Sequence, residues 1–200
     1  MLRALAERGT QRHYRAGALL IQEGDDSDSL YVILSGRMRA FASDANGKEI
    51  TLGIHGAGDF VGEMAFDGGP RSASIEALEP SVCASVTRAT LTAFIGEHPT
   101  FAFDLLARVI RRARAATESA RSFALMDVYG RLTQLLNELA EPRPDGTRWI
   151  PERITHLQIA ARIACSREMI SRLLKDLESG GYIEVRDRRL LLLKNLPARW

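Results

Sequence analysis

Between Ser166 and Glu178 the sequence SREMISRLLKDLE places Ile170, Leu173, Leu174 and Leu177 at i, i+3, i+4 and i+7. That is the spacing of one apolar helix face. The opposite face is left with Arg167, Glu168, Ser171, Arg172 and Lys175, behind Ser166 as the capping residue. An arginine can donate two hydrogen bonds to guanine O6 and N7, and a glutamate can accept one from cytosine N4. Lysine and serine suit phosphate oxygens. A charged stripe is also the ordinary solvated face of a surface helix, so the residues before it decide. There Thr155, Leu157, Ile159 and Ile163 mark a first helix that begins at Thr155, and only Ala164 and Cys165 separate it from the second. Two helices joined by so short a turn form a helix-turn-helix, whose second helix enters a major groove N-terminus first. Thr155 is counted with the DNA contacts.

A second constellation lies in GDFVGEMAF over residues 58–66, followed by Pro70, Arg71, Ser72 and Ala73. A glycine-flanked turn at Gly62 presents backbone N–H groups, and Arg71 offers a planar fork to a phosphate. Ser72 adds a hydroxyl donor, and Glu63 can accept from a ribose hydroxyl. Together they could hold a cyclic nucleotide. Glu63 and Arg71 could equally form a structural ion pair.

The elements that must position these groups are of two kinds. From Arg15 to about Val86, short β-like runs at 19–21, 30–34, 38–42 and 50–54 alternate with turn residues, and Asn46-Gly47 is a hairpin signal. Most glycines lie before residue 100. This is the pattern of an antiparallel barrel or roll. Residues 100–124 hold no Gly or Pro and are rich in Ala, Arg and Leu, which predicts one long helix. Leu106, Val109, Ala113, Ala116, Ala120 and Phe123 alternate steps of three and four along it, coiled-coil spacing that favours a second copy over packing within one chain. After Met126 come a helix over 127–139 with Asp127 as N-cap, the two helices above, and strands at 182–185 and 190–193. Helix, turn, helix and hairpin outline a winged helix-turn-helix.

At this point the residues carry a resemblance. Over essentially its whole length the chain resembles the bacterial cAMP receptor protein and FNR family of transcription regulators. GDFVGEMAFDGGPRSAS is similar to its phosphate-binding cassette, DVYGRL to the start of its DNA-binding domain, and ITHLQIAARIACSREMISRLLKDLE to its helix-turn-helix. The resemblance implies that Arg167, Glu168 and Arg172 read bases and that Gly62, Glu63, Arg71 and Ser72 contact the nucleotide. Thr117 would give a hydroxyl to the purine, and Met64 and Arg112 join the expected effector contacts. The segment between Glu63 and Arg71 is shorter than in cAMP-binding members. Relatives take cyclic di-GMP, haem or an iron-sulfur cluster, and no N-terminal cysteine cluster is present here for the last of these. The resemblance also puts a glycine where Ala164 stands, which an alanine can replace if its φ is not positive.

The fold expected is therefore α+β: an N-terminal antiparallel β-roll over 1–99, a dimerisation helix and hinge over 100–126, and a winged helix-turn-helix over 127–200. Charge is distributed accordingly, with net −4 over residues 1–100 and net +3 over 125–200 within an overall +2. A basic end suits a polyanion. Two cysteines and four histidines without ligand spacing give no metal site. No run of about 18 apolar residues occurs, and the opening MLRALAERG lacks the apolar core of a signal peptide, so a cytoplasmic place without membrane contact is expected. No set of nucleophile, base and orienting group appears, and an enzyme is not expected. The expected effector is cAMP or another cyclic nucleotide. The expected partners are double-stranded DNA with an inverted-repeat operator, a second copy of the chain and, by family resemblance, RNA polymerase. Two alternatives stay open: a regulator that needs no ligand, and a nucleotide-binding adaptor whose helix-turn-helix meets protein.

Overall fold

The computed structural model describes residues 1–197, which fall into two compact units, Met1–Ala115 and the residues from Ala116 onward. In the first, two four-stranded antiparallel sheets form the roll. One has the order β1 (Thr10–Tyr14), β8 (Ser81–Thr87), β3 (Ser29–Ser35), β6 (Phe60–Val61). The other runs β2 (Leu19–Ile21), β7 (Ser74–Ala77), β4 (Arg37–Ser43), β5 (Glu49–Gly56). Alternation along the strands gives each sheet two faces. Ile33, Met38, Val61, Ile75 and Cys83 fill the space inside the roll. Leu30, Val32, Ala84 and Val86 point the other way, onto α1 (Leu2–Ala6), α2 (Arg88–Glu97) and Phe101 at the start of α3 (Thr100–Leu125). Burial pushes the Cys83 thiol up to about 11, so it stays a neutral part of this core.

The hairpin signal at Asn46-Gly47 closes β4 onto β5. The Asp44 carboxylate accepts from the amides of Asn46 and Lys48 at 2.8 and 2.9 Å, and Gly47 takes the left-handed φ of +76° that the turn requires. Helix α2, which lies within the stretch read as roll, is capped by the Thr87 side chain accepting from the Thr90 amide.

The second unit holds the rest of α3, then α4 (Val128–Leu139), α5 (His156–Arg162), α6 (Arg167–Ser179) and a four-stranded sheet. Its order is β11 (Ile183–Arg186), β12 (Arg189–Leu192), β10 (Arg148–Trp149), β9 (Glu141–Pro142). The PRPDG segment after α4 closes a short hairpin of β9 and β10 that widens the wing. Asp127 caps α4 through the Gly130 amide at 2.7 Å. Leu132 and Leu136 of α4, Ile159 of α5, and Ile170 and Leu177 of α6 meet Leu192 in one fully buried cluster, which fixes the faces of α5 and α6 that remain outside.

Candidate nucleic-acid interface and effector cassette

In the second unit the helix-turn-helix is held by caps at both helix starts. Thr155 accepts from the Gln158 amide while the Gln158 side chain accepts from the Thr155 amide, a capping box for α5. Ser166 caps α6 by accepting from the Met169 amide at 3.2 Å. Between them the chain turns sharply. Ala164 adopts φ +53°, so the condition that would make alanine harmless there is not met. Its Cβ crowds the carbonyl at roughly 1–2 kcal/mol. The turn is pinned nonetheless, because the Cys165 amide donates to the Ala160 carbonyl at 3.1 Å and Arg131 Nε to the Ile163 carbonyl at 3.0 Å.

Thr155, Ser166, Arg167, Glu168, Arg172 and Lys175 are all exposed, on α6 and at the starts of both helices. Arg167, Glu168, Arg172 and Lys175 make no ion pair among the described residues. Ser171 differs. It is half-buried, its hydroxyl donates to the Arg167 carbonyl at 3.0 Å, and His156 Nδ1 lies 2.8 Å from the same oxygen. With the serine proton committed, His156 Nδ1–H is the donor, and Ser171 serves as a crosslink between α5 and α6. His156 was read only as a non-ligand; its position at the first residue of α5, facing α6, is invisible without the crossing of the helices. The wing adds exposed Arg186 and Arg188 about a turn in which Asp187 and Arg188 have φ +52° and +61°, with Arg186 held by Glu184.

In the first unit the cassette residues gather around a 3-10 turn over Glu63–Asp67, and of them Arg71 is buried. Arg71 is only 4% exposed. Its guanidinium donates to the Gly62 carbonyl at 2.7 Å and, at 2.8 Å each, to the Ser29 carbonyl and the Ser27 hydroxyl. Gly62 has φ +88°, and a Cβ there would stand 2.7 Å from Arg71 Nη1, so glycine is required by approach as well as by angle. Glu63 pairs with Arg112 at 2.8 Å rather than with Arg71. Ser72 and Met64 are both exposed, and the Ser72 hydroxyl donates to Met64 Sδ at 3.1 Å. Thr117 lies on an exposed stretch of α3 in the second unit.

Arg112 is the centre of a charged hub. Besides Glu63 it reaches Asp59 Oδ1 at 2.8 Å and the Phe60 carbonyl, and its guanidinium lies over the Phe60 ring. Arg108 donates to the Gly58 carbonyl at 3.0 Å, and His55 Nδ1 meets Asp59 Oδ2 at 2.9 Å. Burial opposes ionisation of Asp59, but hydrogen bonds from His55 and the Phe60 amide and the Arg112 charge outweigh it. They hold its carboxyl well below the usual range. Asp59 and Arg108 were not singled out from the sequence. Their signal was available, since Arg108 and Arg112 stand four apart on the side of α3 that carries Leu105.

These geometries match known proteins. Residues 11–98 fit the family model of the cyclic nucleotide-binding domain and residues 130–198 that of the Crp-like helix-turn-helix domain. The cAMP-activated global transcriptional regulator CRP of Escherichia coli O157:H7 is 30% identical over 186 residues, covering 90% of this chain and 87% of that protein. The chain belongs to the CRP/FNR family of bacterial transcription regulators. Another relative, the CRP-like cAMP-activated global transcriptional regulator of Mycobacterium tuberculosis, is 29% identical over 180 residues, 88% of this chain and 80% of that protein. In fold the chain is similar to the c-di-GMP responsive regulator CLP of Xanthomonas campestris, with a TM-score of 0.85, 23% identity, and coverage of 96% of this chain and 98% of that one. The β-rich first part, long helix and C-terminal helix-turn-helix are those of this CRP/FNR fold. Family members are transcription factors and not enzymes. Among the described residues no helix is long and apolar enough to cross a membrane, and no three His, Cys, Asp or Glu side chains gather as a metal site.

Proposed function

We propose that the chain is a homodimeric transcription regulator that reads an inverted-repeat operator through α6, with its operator affinity set at the cassette turn. The observation that carries this is the outward stand of Arg167, Glu168 and Arg172 on a helix whose other face, Ile170, Leu174 and Leu177, is locked in the core. Two such helices related by a two-fold axis would enter successive major grooves about 34 Å apart. Dimerisation is supported by an exposed apolar stripe on α3. Phe103 is 73%, Leu106 52% and Ile110 45% exposed, and the same steps of three and four continue through Ala113, Thr117 and Ala120. This register shares Leu106, Ala113 and Ala120 with the spacing read from the sequence and takes Ile110 beside Val109, which is itself 40% exposed. RNA polymerase as a partner rests on the family alone.

At the cassette, Glu63 is the responsive group. A ligand hydroxyl donating to Glu63 competes with Arg112 and loosens the tie between the turn and α3, which is differential binding to two states of the hub. Cyclic nucleotides, cAMP and cyclic di-GMP among them, are the ligands that family and cassette favour. A second reading has its own observation: Arg71 already has three internal acceptors, so the cassette could be a structural turn in a regulator that needs no nucleotide. Calorimetry with cAMP, cGMP and cyclic di-GMP separates the two. The DNA-binding reading is tested by gel shifts across a salt series, where groove binding must weaken as counterions compete; affinity that ignores salt would sink it.

A further inference from the structure

The Glu63–Asp67 turn has a second side. Together with α2 and the first part of α3 it borders an open cleft of about 340 Å³ within the first unit. The walls are Leu30, Phe60, Leu91, Leu105 and Val109, with Phe66 and Met64 contributed by the turn itself and Leu106 of the exposed α3 stripe at the mouth. Gly62, Arg71 and Ser72, the expected phosphate contacts, take no part in the lining. The ionisable groups of the lining are two carboxylates, Glu63 and Asp67. Glu63 is neutralised by Arg112 at 2.8 Å. Asp67 Oδ1 accepts from the Gly69 amide at 2.8 Å and has no ion-pair partner among the described residues. The nearby Arg88 is spent on the Phe66 carbonyl and ring.

We infer that this cleft is a binding site for a small, largely apolar effector with a neutral or cationic head group, separate from the anion-binding side of the cassette. The volume lies at the lower end of the roughly 300–1,000 Å³ of small-molecule pockets and is far too small for a helix about 10 Å across, so a second copy's α3 can at most lid it. Apolar walls reject a hydrated polar ligand, and uncompensated carboxylate charge at the rim rejects an anion. One wall belongs to α3 and another to the turn that carries Glu63. An occupant therefore packs directly between the two elements that the Glu63–Arg112 pair connects. Only its effect on operator affinity rests on the regulator reading; occupancy does not.

The full-length protein is titrated calorimetrically with phenethylamine, phenethyl alcohol and phenylacetate, which share one apolar body and differ in head charge. The amine and the alcohol should bind, and the carboxylate about five-fold or more weakly than the amine. Val109→Trp, which fills the cleft from α3, should weaken the amine at least ten-fold. Asp67→Asn, which keeps the acceptor to Gly69 and so the turn, should bring amine and carboxylate close to parity. If Val109→Trp fails to fold, the Asp67→Asn comparison still decides. Binding of neither amine nor alcohol, preference for phenylacetate, indifference to both substitutions, or binding only at dilutions where the dimer dissociates each overturns the inference. An intact gel shift alongside absent probe binding removes this site and leaves the regulator standing. Probe binding with no gel shift does the reverse.

Discussion

The two units treat their expected contact residues in opposite ways. On α6, Arg167, Glu168 and Arg172 stand in solvent with their charges uncommitted, while in the roll Arg71 is sealed against two carbonyls and a hydroxyl and Glu63 is taken by Arg112. The DNA face is laid out before its partner arrives. In the cassette Arg71 and Glu63 already have partners in their own chain, so a ligand there shares or competes for groups already bonded.

The widest separation between the units is expected on acidification. Asp59 has its carboxyl held below the ordinary value, so its contribution is present above an unfolded pKa near 4 and is lost as pH falls toward the folded value. Hydrogen-exchange protection around β6 should then fall before that of α6, and Asp59→Asn should weaken β6 already at neutral pH while flattening the acid response. Earlier loss at α6 would remove the hub as the reason. Next, Arg71→Ala should destabilise the roll by about 2–4 kcal/mol, because it strands the Gly62 and Ser29 carbonyls, whereas Arg167→Ala should change stability by no more than about 0.5 kcal/mol. Denaturant series followed segment by segment test both, and equal costs would erase the contrast. Arg167→Ala should instead cost about 1–3 kcal/mol of operator affinity and relax preference at one base pair, measured by gel shifts on single-base operator variants. The smallest effect is Ala164→Gly. Relief of the left-handed alanine, less the added freedom of glycine in the unfolded chain, should raise stability by about 0.5–1 kcal/mol, and a lower melting temperature would contradict the turn geometry.

How far the sequence could be read differs by the range of the contact. The recognition helix, its Ser166 cap and its core face were legible because a period of 3.6 is a local property, and they stand within a residue of the reading. The same holds for Asp127, whose side chain caps α4. What escaped was made by distant parts of the chain. Ser27 and Arg71 are brought together only by the pairing of β2 with β7 and of β3 with β8, and Ser171 meets His156 only where two helices cross. Strands β9 and β10 escaped because two residues carry no period at all. The cassette residues could be listed by type and spacing, but which partners they take within the chain depended on the closed roll.

The caps at Thr155 and Ser166 have a consequence for how docking proceeds. Each hydroxyl oxygen is anchored by an amide of its own helix, while its proton remains available to a phosphate. The rotor was frozen when the helix formed, so engagement with a duplex removes little torsional freedom at these two points. Replacing either by a longer polar side chain would keep a donor but postpone that freezing to the encounter, and the difference should appear in the entropy of association more than in its rate.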